Sequence, residues 1–411
     1  MARRAACSAR WAKATRLAIV KDERGFATRA VHGANAPEVH QVPASVPIYQ
    51  TATWRFDTSE EFAEVSQRRR PGQVYSRGFG NPTVDALELT MADLEGTAAA
   101  MGFASGMAAI HATLTTLARE GQRVVASREL YGGTFSLFSK VLPGYGVDVT
   151  FVDPHDLAAV SRALPRAACF YVETITNPLV TVADLAALAD VCRDAGVTSV
   201  VDNTFASPYL CNPAALGFDL VLHSATKYIG GHGDLIGGVV CGSAGAIEAI
   251  RSMAIDTGGT MQPLEAWLCL RGLSTLAIRM DQHGRSAARL AGALDEHPKV
   301  QRVHYPGLPE HPHHEIARKQ LRGFGGMLAF DVPGGVGGGA RVADALELAW
   351  IGGSLGTTRT LVAHPASTTH RQLEPGARRA AGIGDGLLRV SVGLEEPDDL
   401  IDDFTRALTS A

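Results

Sequence analysis

The chain reads as an α/β protein, with a mostly parallel sheet carrying helices on both faces and a smaller α+β domain after it. Three observations predict this. Between about residues 81 and 276, short β-rich runs alternate with helix-like stretches, the pattern of a parallel sheet whose crossovers are helices. The β-rich runs are almost wholly apolar rather than alternating, as strands covered on both faces are. A length of 411 residues also exceeds what one hydrophobic core organises, so two globular domains plus an arm are expected.

Taken in order, the first 21 residues carry Arg3, Arg4, Arg10, Lys13, Arg16 and Lys21 without an acid. That composition resembles a transit peptide, but it lacks an apolar core and a small-residue cleavage site, so a disordered tail or an upstream start codon is the preferred reading. Residues 22–80 are mixed and rich in turn formers, with a basic cluster at Arg68, Arg69 and Arg70. Such a segment buries little of itself, so residues 1–80 are expected to form a tail and an arm lying on another surface, in this subunit or a neighbour.

The large domain is expected over residues 81–276. Its predicted helices are Ser105 to Glu120, Leu185 to Ala195 and Leu264 to Leu270. Its predicted strands are Arg123 to Ala126, Val147 to Val152, Cys169 to Val172, Ser199 to Val201, Leu220 to Leu222 and Gly238 to Cys241. Residues 277–411 form the C-terminal domain, with a long polar helix through Met280 to Leu294, strands at Met327 to Val332 and Leu387 to Leu394, and a closing helix from Asp398 to Leu408. The run PGGVGGG from Pro333 to Gly339 reads as a surface loop.

Composition narrows the function. With 46% hydrophobic and 19% charged residues and a net charge of −4, the chain resembles an ordinary soluble protein, and nothing favours nucleic acid or a membrane as partner. The six cysteines are scattered, with no CxxC pair and no metal-ligand spacing. Cys169 and Cys241 sit in apolar strand-like runs, which points to reduced buried thiols in a cytoplasmic protein.

Five stretches carry chemistry. In DLVLHSATKYIGGHGDLIGG, from Asp219 to Gly238, an apolar strand ends in Ser224, Thr226 and Lys227 before a glycine-rich exit. Sites in open α/β sheets lie at such strand ends. A lysine amine there can hold an aldehyde cofactor as a Schiff base while the hydroxyls meet its phosphate, although a solvated loop lysine fits the same letters. Ser105, Gly106 and Met107 open a helix, where backbone amides suit a phosphate, or Ser105 is simply an N-cap. Asp202 ends a strand and could pair with a protonated pyridine nitrogen, or cap the next turn. Tyr131 precedes Gly132 and Gly133, so its ring could lie on a planar cofactor and its phenol exchange protons, or sit in a surface turn. Asn177, before Pro178, could hydrogen-bond cofactor or substrate, or mark a plain turn.

Together these stretches resemble the pyridoxal-phosphate enzymes of sulfur amino-acid metabolism, a group that includes cystathionine γ-synthase, cystathionine γ-lyase, methionine γ-lyase and O-acetylhomoserine sulfhydrylase. The resemblance runs from about Thr28 to the C-terminus, and HSATKYIGGHGD is its most specific motif. It implies the type I pyridoxal-phosphate transferase fold of the aspartate aminotransferases and a Schiff base at Lys227. It also implies phosphate contacts from Ser105, Gly106, Met107, Ser224 and Thr226, a pyridinium partner in Asp202, and ring stacking by Tyr131. Tyr75 and Arg77, in VYSRGFGNPT, are implied to reach the phosphate of a neighbouring subunit, in a homotetramer of dimers with shared sites. Arg389, in LLRVSVGLEE, resembles the fork for a substrate α-carboxylate, and Ser354 the residue that helps fix it; a structural salt bridge is the other reading of Arg389.

The chain departs from the family pattern at several positions. Three residues separate Arg77 from Asn81 rather than two, Gly133 replaces the cysteine of methionine γ-lyases, and the lysine and aspartate often found near Ala254 and Ile255 in those lyases are missing. Gly353 replaces the glutamate of cystathionine-handling members, and Arg359 stands in place of an acid. The segment HPASTTHRQL, from His364 to Leu373, resembles methionine γ-lyases and O-acetylhomoserine sulfhydrylases alike. The function implied is γ-elimination from an amino acid, L-methionine giving 2-oxobutanoate, methanethiol and ammonia. The alternatives are the O-acetylhomoserine sulfhydrylase reaction and cystathionine γ-synthase or γ-lyase chemistry. A nucleotide-binding oxidoreductase would need a GxGxxG turn after its first strand, and none is present; a catalytically silent relative of the fold is countered by the complete set Tyr131, Asp202, Lys227 and Arg389.

Overall fold

The computed structural model describes residues 25–31, 43–67, 69–368, 376, 378 and 382–411. The basic N-terminal segment with Cys7, Arg68 and the stretch 369–373 of the HPASTTHRQL segment lie outside the described residues.

A seven-stranded sheet holds β1 (Ala99–Phe103), β2 (Arg123–Ser127), β3 (Asp148–Val152), β4 (Ala167–Glu173), β5 (Thr198–Asp202), β6 (Leu220–Ser224) and β7 (Gly238–Gly242), in the order β1-β7-β6-β5-β4-β2-β3. Every neighbouring pair is parallel except those of β7, which runs antiparallel to β1 and β6. Alternate residues of each strand enter two separate cores. Val172, Val201 and Val221 pack with Leu87 and Met91 on one face. Tyr171, Val200, Leu220 and Leu222 pack with Ile110 and Leu114 on the other. Burial on both faces explains the continuous apolar runs.

The helices that cover the sheet start and stop where local chemistry dictates. Helix α1 (Pro82–Glu95) begins with Asn81 accepting from Thr83 N and with proline in the first turn, and stops at Gly96 in the left-handed region, φ 69°. Helix α2 (Gly106–Leu117) is capped by Ser105, whose Oγ accepts from Ala108 N at 3.0 Å. Helix α3 (Leu185–Ala195) buries Leu185, Leu188, Ala189 and Cys192, one helical stripe. The long helix α4 (Leu276–Asp295) follows, burying Met280, Ala287, Leu290 and Leu294.

The second sheet joins β8 (Arg302–His304), β9 (Met327–Asp331), β10 (Trp350–Ile351), β11 (Leu361–Ala363) and β12 (Leu387–Ser391) in the order β10-β11-β12-β9-β8. Only β10 and β11 are parallel. Its core, with Leu328, Phe330, Leu388 and Val390, packs on α4 and on the closing helix.

Two sequence expectations need correction. The glycine-rich run from Pro333 to Gly339 is not a loop beyond its first residues, because helix α5 (Gly335–Asp344) begins inside it. Packing overrides glycine's poor helix propensity here. A Cβ on Gly338 would lie 2.0 Å from the Pro333 carbonyl oxygen and one on Gly339 would lie 2.7 Å from His364 Nε2, so only glycine lets the turn approach so closely. The strand expected over Leu387 to Leu394 ends at Ser391. Strand β1 was not expected at all, since AAMGF lacks β-branched residues and owes its place to pairing with β7. The last helix, α6 (Pro397–Ser410), buries Leu400, Phe404 and Leu408.

Candidate active site

Parallel strands leave their carboxyl ends on one edge, and β4, β5 and β6 deliver Glu173, Asp202 and Ser224 there. Beside them opens a cavity of about 250 Å³ lined by Ser105, Gly106, Met107, Tyr131, Asn177, Asp202, Ser224, Thr226, Lys227 and Arg389 among others. Residues drawn from 105 to 389 thus converge on one volume.

Lys227 follows β6 in a turn whose backbone is clamped from below. Arg279 of α4 donates to the Tyr228 carbonyl at 2.9 Å and to the Gly272 carbonyl at 2.7 Å. The Lys227 Nζ donates to Ser354 Oγ at 3.1 Å. Burial, and then the charge of Arg389, pull its pKa down from 10.5 to about 8. A buried lysine that loses its proton this readily is a nucleophile and a base near neutral pH.

Arg389 lies on β12 and is 2% exposed. Its Nη2 donates to the Ser354 carbonyl at 2.9 Å and its Nη1 to Asn177 Oδ1 at 3.3 Å, while the buried Nε has no partner. Burial lowers its pKa to about 10. No carboxylate pairs with it among the described residues, so the guanidinium is held by neutral acceptors and is free for an anion. The structural salt-bridge reading of Arg389 therefore finds no partner. Asn177 turns its oxygen to Arg389, a contact that the sequence did not anticipate.

Asp202 is both a cap and a cavity acid. Its Oδ1 accepts from Thr204 N at 3.0 Å and its Oδ2 from the Tyr171 hydroxyl at 3.4 Å. Burial raises its pKa, while the Thr204 bonds, the nearby His223 and Tyr171 favour its anion. Among the described residues no cation pairs with it, which suits a protonated ring nitrogen.

Phosphate has a place as well. Ser105 Oγ is occupied in capping α2, so what the helix start offers is its free backbone amides. Gly106 packs so tightly on Ser224 that a Cβ would meet the Ser224 Cβ at 2.9 Å. Thr226 Oγ accepts from Gly237 N at 3.0 Å, closing the far wall. An aldehyde-reactive amine, an anion cradle and an unpaired acid in one cavity fit pyridoxal phosphate.

Tyr131 is 47% exposed at the cavity mouth, its ring folded over Gly133, where a Cβ would lie 2.6 Å from Tyr131 Cε1. Gly353 lines the cavity, and a Cβ there would face open space. Arg359, which stands in place of an acid, lies away from the cavity lining and stacks over the Trp350 ring at 4.1 Å.

Tyr75 and Arg77 are not brought to this cavity. Tyr75 is 42% exposed, and Arg77 donates to the Ile255 carbonyl. Sequence reasoning also missed Glu173, a cavity acid whose Oε1 accepts from Tyr131 N at 2.6 Å. Its signal was the same as that of Asp202, an acid closing an apolar run.

Residues 27–409 match the family model for Cys/Met metabolism PLP-dependent enzymes. The chain is 44% identical to an L-methionine γ-lyase of Pseudomonas putida over 94% of this chain and 98% of that one. It is also 44% identical to an O-succinylhomoserine sulfhydrylase of Pseudomonas aeruginosa, over 88% of this chain and 90% of the relative. A crystal structure of cystathionine γ-lyase from Lactobacillus plantarum complexed with L-serine superposes with a TM-score of 0.88 at 39% identity, covering 94% of this chain and 99% of that one.

Proposed function

The chain belongs to the Cys/Met metabolism PLP-dependent enzymes, and we propose that within this family it is a carbon–sulfur lyase that converts L-methionine and one water into 2-oxobutanoate, methanethiol and ammonia. The observation that carries the reading is the meeting of Lys227, Asp202, Tyr131 and Arg389 in one cavity. The similarity to methionine γ-lyases supports the choice of reaction. So does the apolar wall of Met107, Ile110, Ile236 and Leu355, which suits a methylthio group better than a charged one.

When bound, pyridoxal phosphate supplies an electron sink conjugated to the substrate's α-carbon. The chain's own residues do the rest. Arg389 grips the α-carboxylate with its fork, oriented by Asn177 and by the Ser354 carbonyl. Lys227, with a pKa of about 8, takes the α-proton, gives it up again, and as a neutral amine once more takes a β-proton, so that the bond to sulfur can break. The Tyr131 hydroxyl delivers a proton to the departing thiolate. Asp202 would keep the ring nitrogen charged, and Ser105, Gly106, Met107, Ser224 and Thr226 would hold the phosphate.

The arm supports a shared dimer site, because Tyr75 and Arg77 stay outside this chain's own cavity. They complete a neighbour's site in a homotetramer built from such dimers. The five described cysteines are all buried and free, which supports a cytoplasmic location.

A second reading is γ-replacement, supported by the similar O-succinylhomoserine sulfhydrylase. Product analysis separates the two. Incubation with L-methionine should release 2-oxobutanoate and methanethiol; no such release, together with conversion of O-acetylhomoserine and sulfide, would establish the second reading instead.

A further inference from the structure

Two acids end neighbouring strands inside the cavity. Glu173 closes β4 and Asp202 closes β5, and they are register partners in a parallel pair, which sets their Cα atoms about 4.8 Å apart. Register partners share a face of the sheet, and both side chains line the cavity. Glu173 is 4% exposed. Its carboxyl is pushed well above the usual range by burial first, then by the charges of Asp202 and Glu129, against the opposing pull of the Tyr131 and Asn177 amides. Two buried carboxyls placed so near each other resist carrying two negative charges at once.

Their surroundings decide which keeps the charge. Asp202 receives Thr204 N and the Tyr171 hydroxyl, feels His223 on the adjoining strand, and is the acid suited to a ring cation. Glu173 receives the amides of Tyr131 and Asn177, neither of which brings a positive charge. A carboxylic acid can accept those amides through its carbonyl oxygen without being ionised.

We propose that Glu173 is a positioning residue for Tyr131, a carboxyl that stays protonated beside an ionised Asp202 and anchors the Tyr131 amide. The anchor matters because Tyr131 begins a five-residue helix, Gly132–Ser136, with no side-chain cap of its own and with two glycines next in line. Without Glu173 the backbone that aims the ring loses its tie to β4. With Glu173 ionised, a second negative charge would stand beside the anion that holds the ring nitrogen.

The ring's task rests on the function proposed above, but the proton on Glu173 does not, and the test separates them. Infrared spectra of the holoenzyme at neutral pH should show a protonated-carboxyl stretch that Glu173→Gln removes. If Glu173→Gln removes no such band, Glu173 is ionised and the proposal is overturned, whatever the substrate proves to be. In turnover of whichever amino acid the enzyme accepts, Glu173→Ala should lower kcat about 2- to 10-fold, the scale of one lost hydrogen bond, while KM moves little. It should also alter the fluorescence of the bound cofactor. Glu173→Gln keeps a neutral carbonyl in place and should recover most of both changes. A glutamine variant as impaired as the alanine variant would overturn the proposal. Should the alanine variant fail to fold, the infrared comparison still decides.

Discussion

Lys227 allows the sharpest test, because burial and Arg389 act on a single amine. An ordinary lysine has a pKa of 10.5, and in this cavity the value falls to about 8. At pH 7 the neutral fraction is therefore roughly one in ten rather than one in 3,000, a gain of roughly 300-fold in reactive amine. The perturbation is pH, applied to enzyme stripped of its cofactor and then mixed with pyridoxal phosphate. The rate of covalent capture, followed by absorbance and fixed by borohydride, should rise with pH and level off with a midpoint near 8. The sign follows from the neutral amine being the reactive form: raising pH increases capture until the lysine is fully deprotonated. Arg389→Leu removes the second cause and should move the midpoint upward. A midpoint near the ordinary lysine value would show that burial and Arg389 leave this amine unperturbed, and a label on a lysine other than Lys227 in the peptide map would show that Lys227 does not capture the cofactor.

Other perturbations probe the remaining parts. Arg389→Lys keeps the charge but loses the fork, and losing one charge-assisted hydrogen bond of about 1.5–3 kcal/mol should raise KM about 10- to 100-fold in steady-state kinetics. Gly106→Val places a branched side chain against Ser224, where even a Cβ would sit at 2.9 Å; fluorescence titration should show weaker cofactor binding, and unchanged affinity would dismiss the cradle. Gly338→Ala pushes a Cβ into the Pro333 carbonyl at 2.0 Å, and overpacking of this kind should cost about 1–3 kcal/mol in denaturant unfolding. Burial raises the thiols of Cys169 and Cys192 from 9.0 to about 12, and those of Cys211, Cys241 and Cys269 also upward. Above pH 9 the unfolded chain releases protons that the folded one keeps, so stability present below pH 9 declines as pH rises towards 12. The urea midpoint should accordingly fall between pH 8 and pH 10.5.

Much of the large sheet was legible because both-face burial writes itself as apolar runs such as Leu220 to Leu222 and Cys169 to Val172. The ends of those runs displayed Asp202 and Lys227, since a polar residue closing a buried strand needs a reason to be there. Glu173 gave the same signal and was passed over, because the chemistry of the stretch it opens was assigned to Asn177 alone. What the letters could not show was distance. That Arg389 faces Asn177 across 212 positions, that Ser354 receives the Lys227 amine, and that Tyr75 and Arg77 lie outside this chain's cavity are results of long-range packing. The helix inside the glycine-rich run from Pro333 and the pairing of β1 with β7 belong to the same class, for there tertiary contact outweighs local preference. The sequence alone therefore determined the family, the cofactor and the alternation of elements, because these follow from residue type and spacing. Only the tertiary structure decided which acids share a strand end and which groups lower the lysine's pKa, since burial and charge act through space and not along the chain.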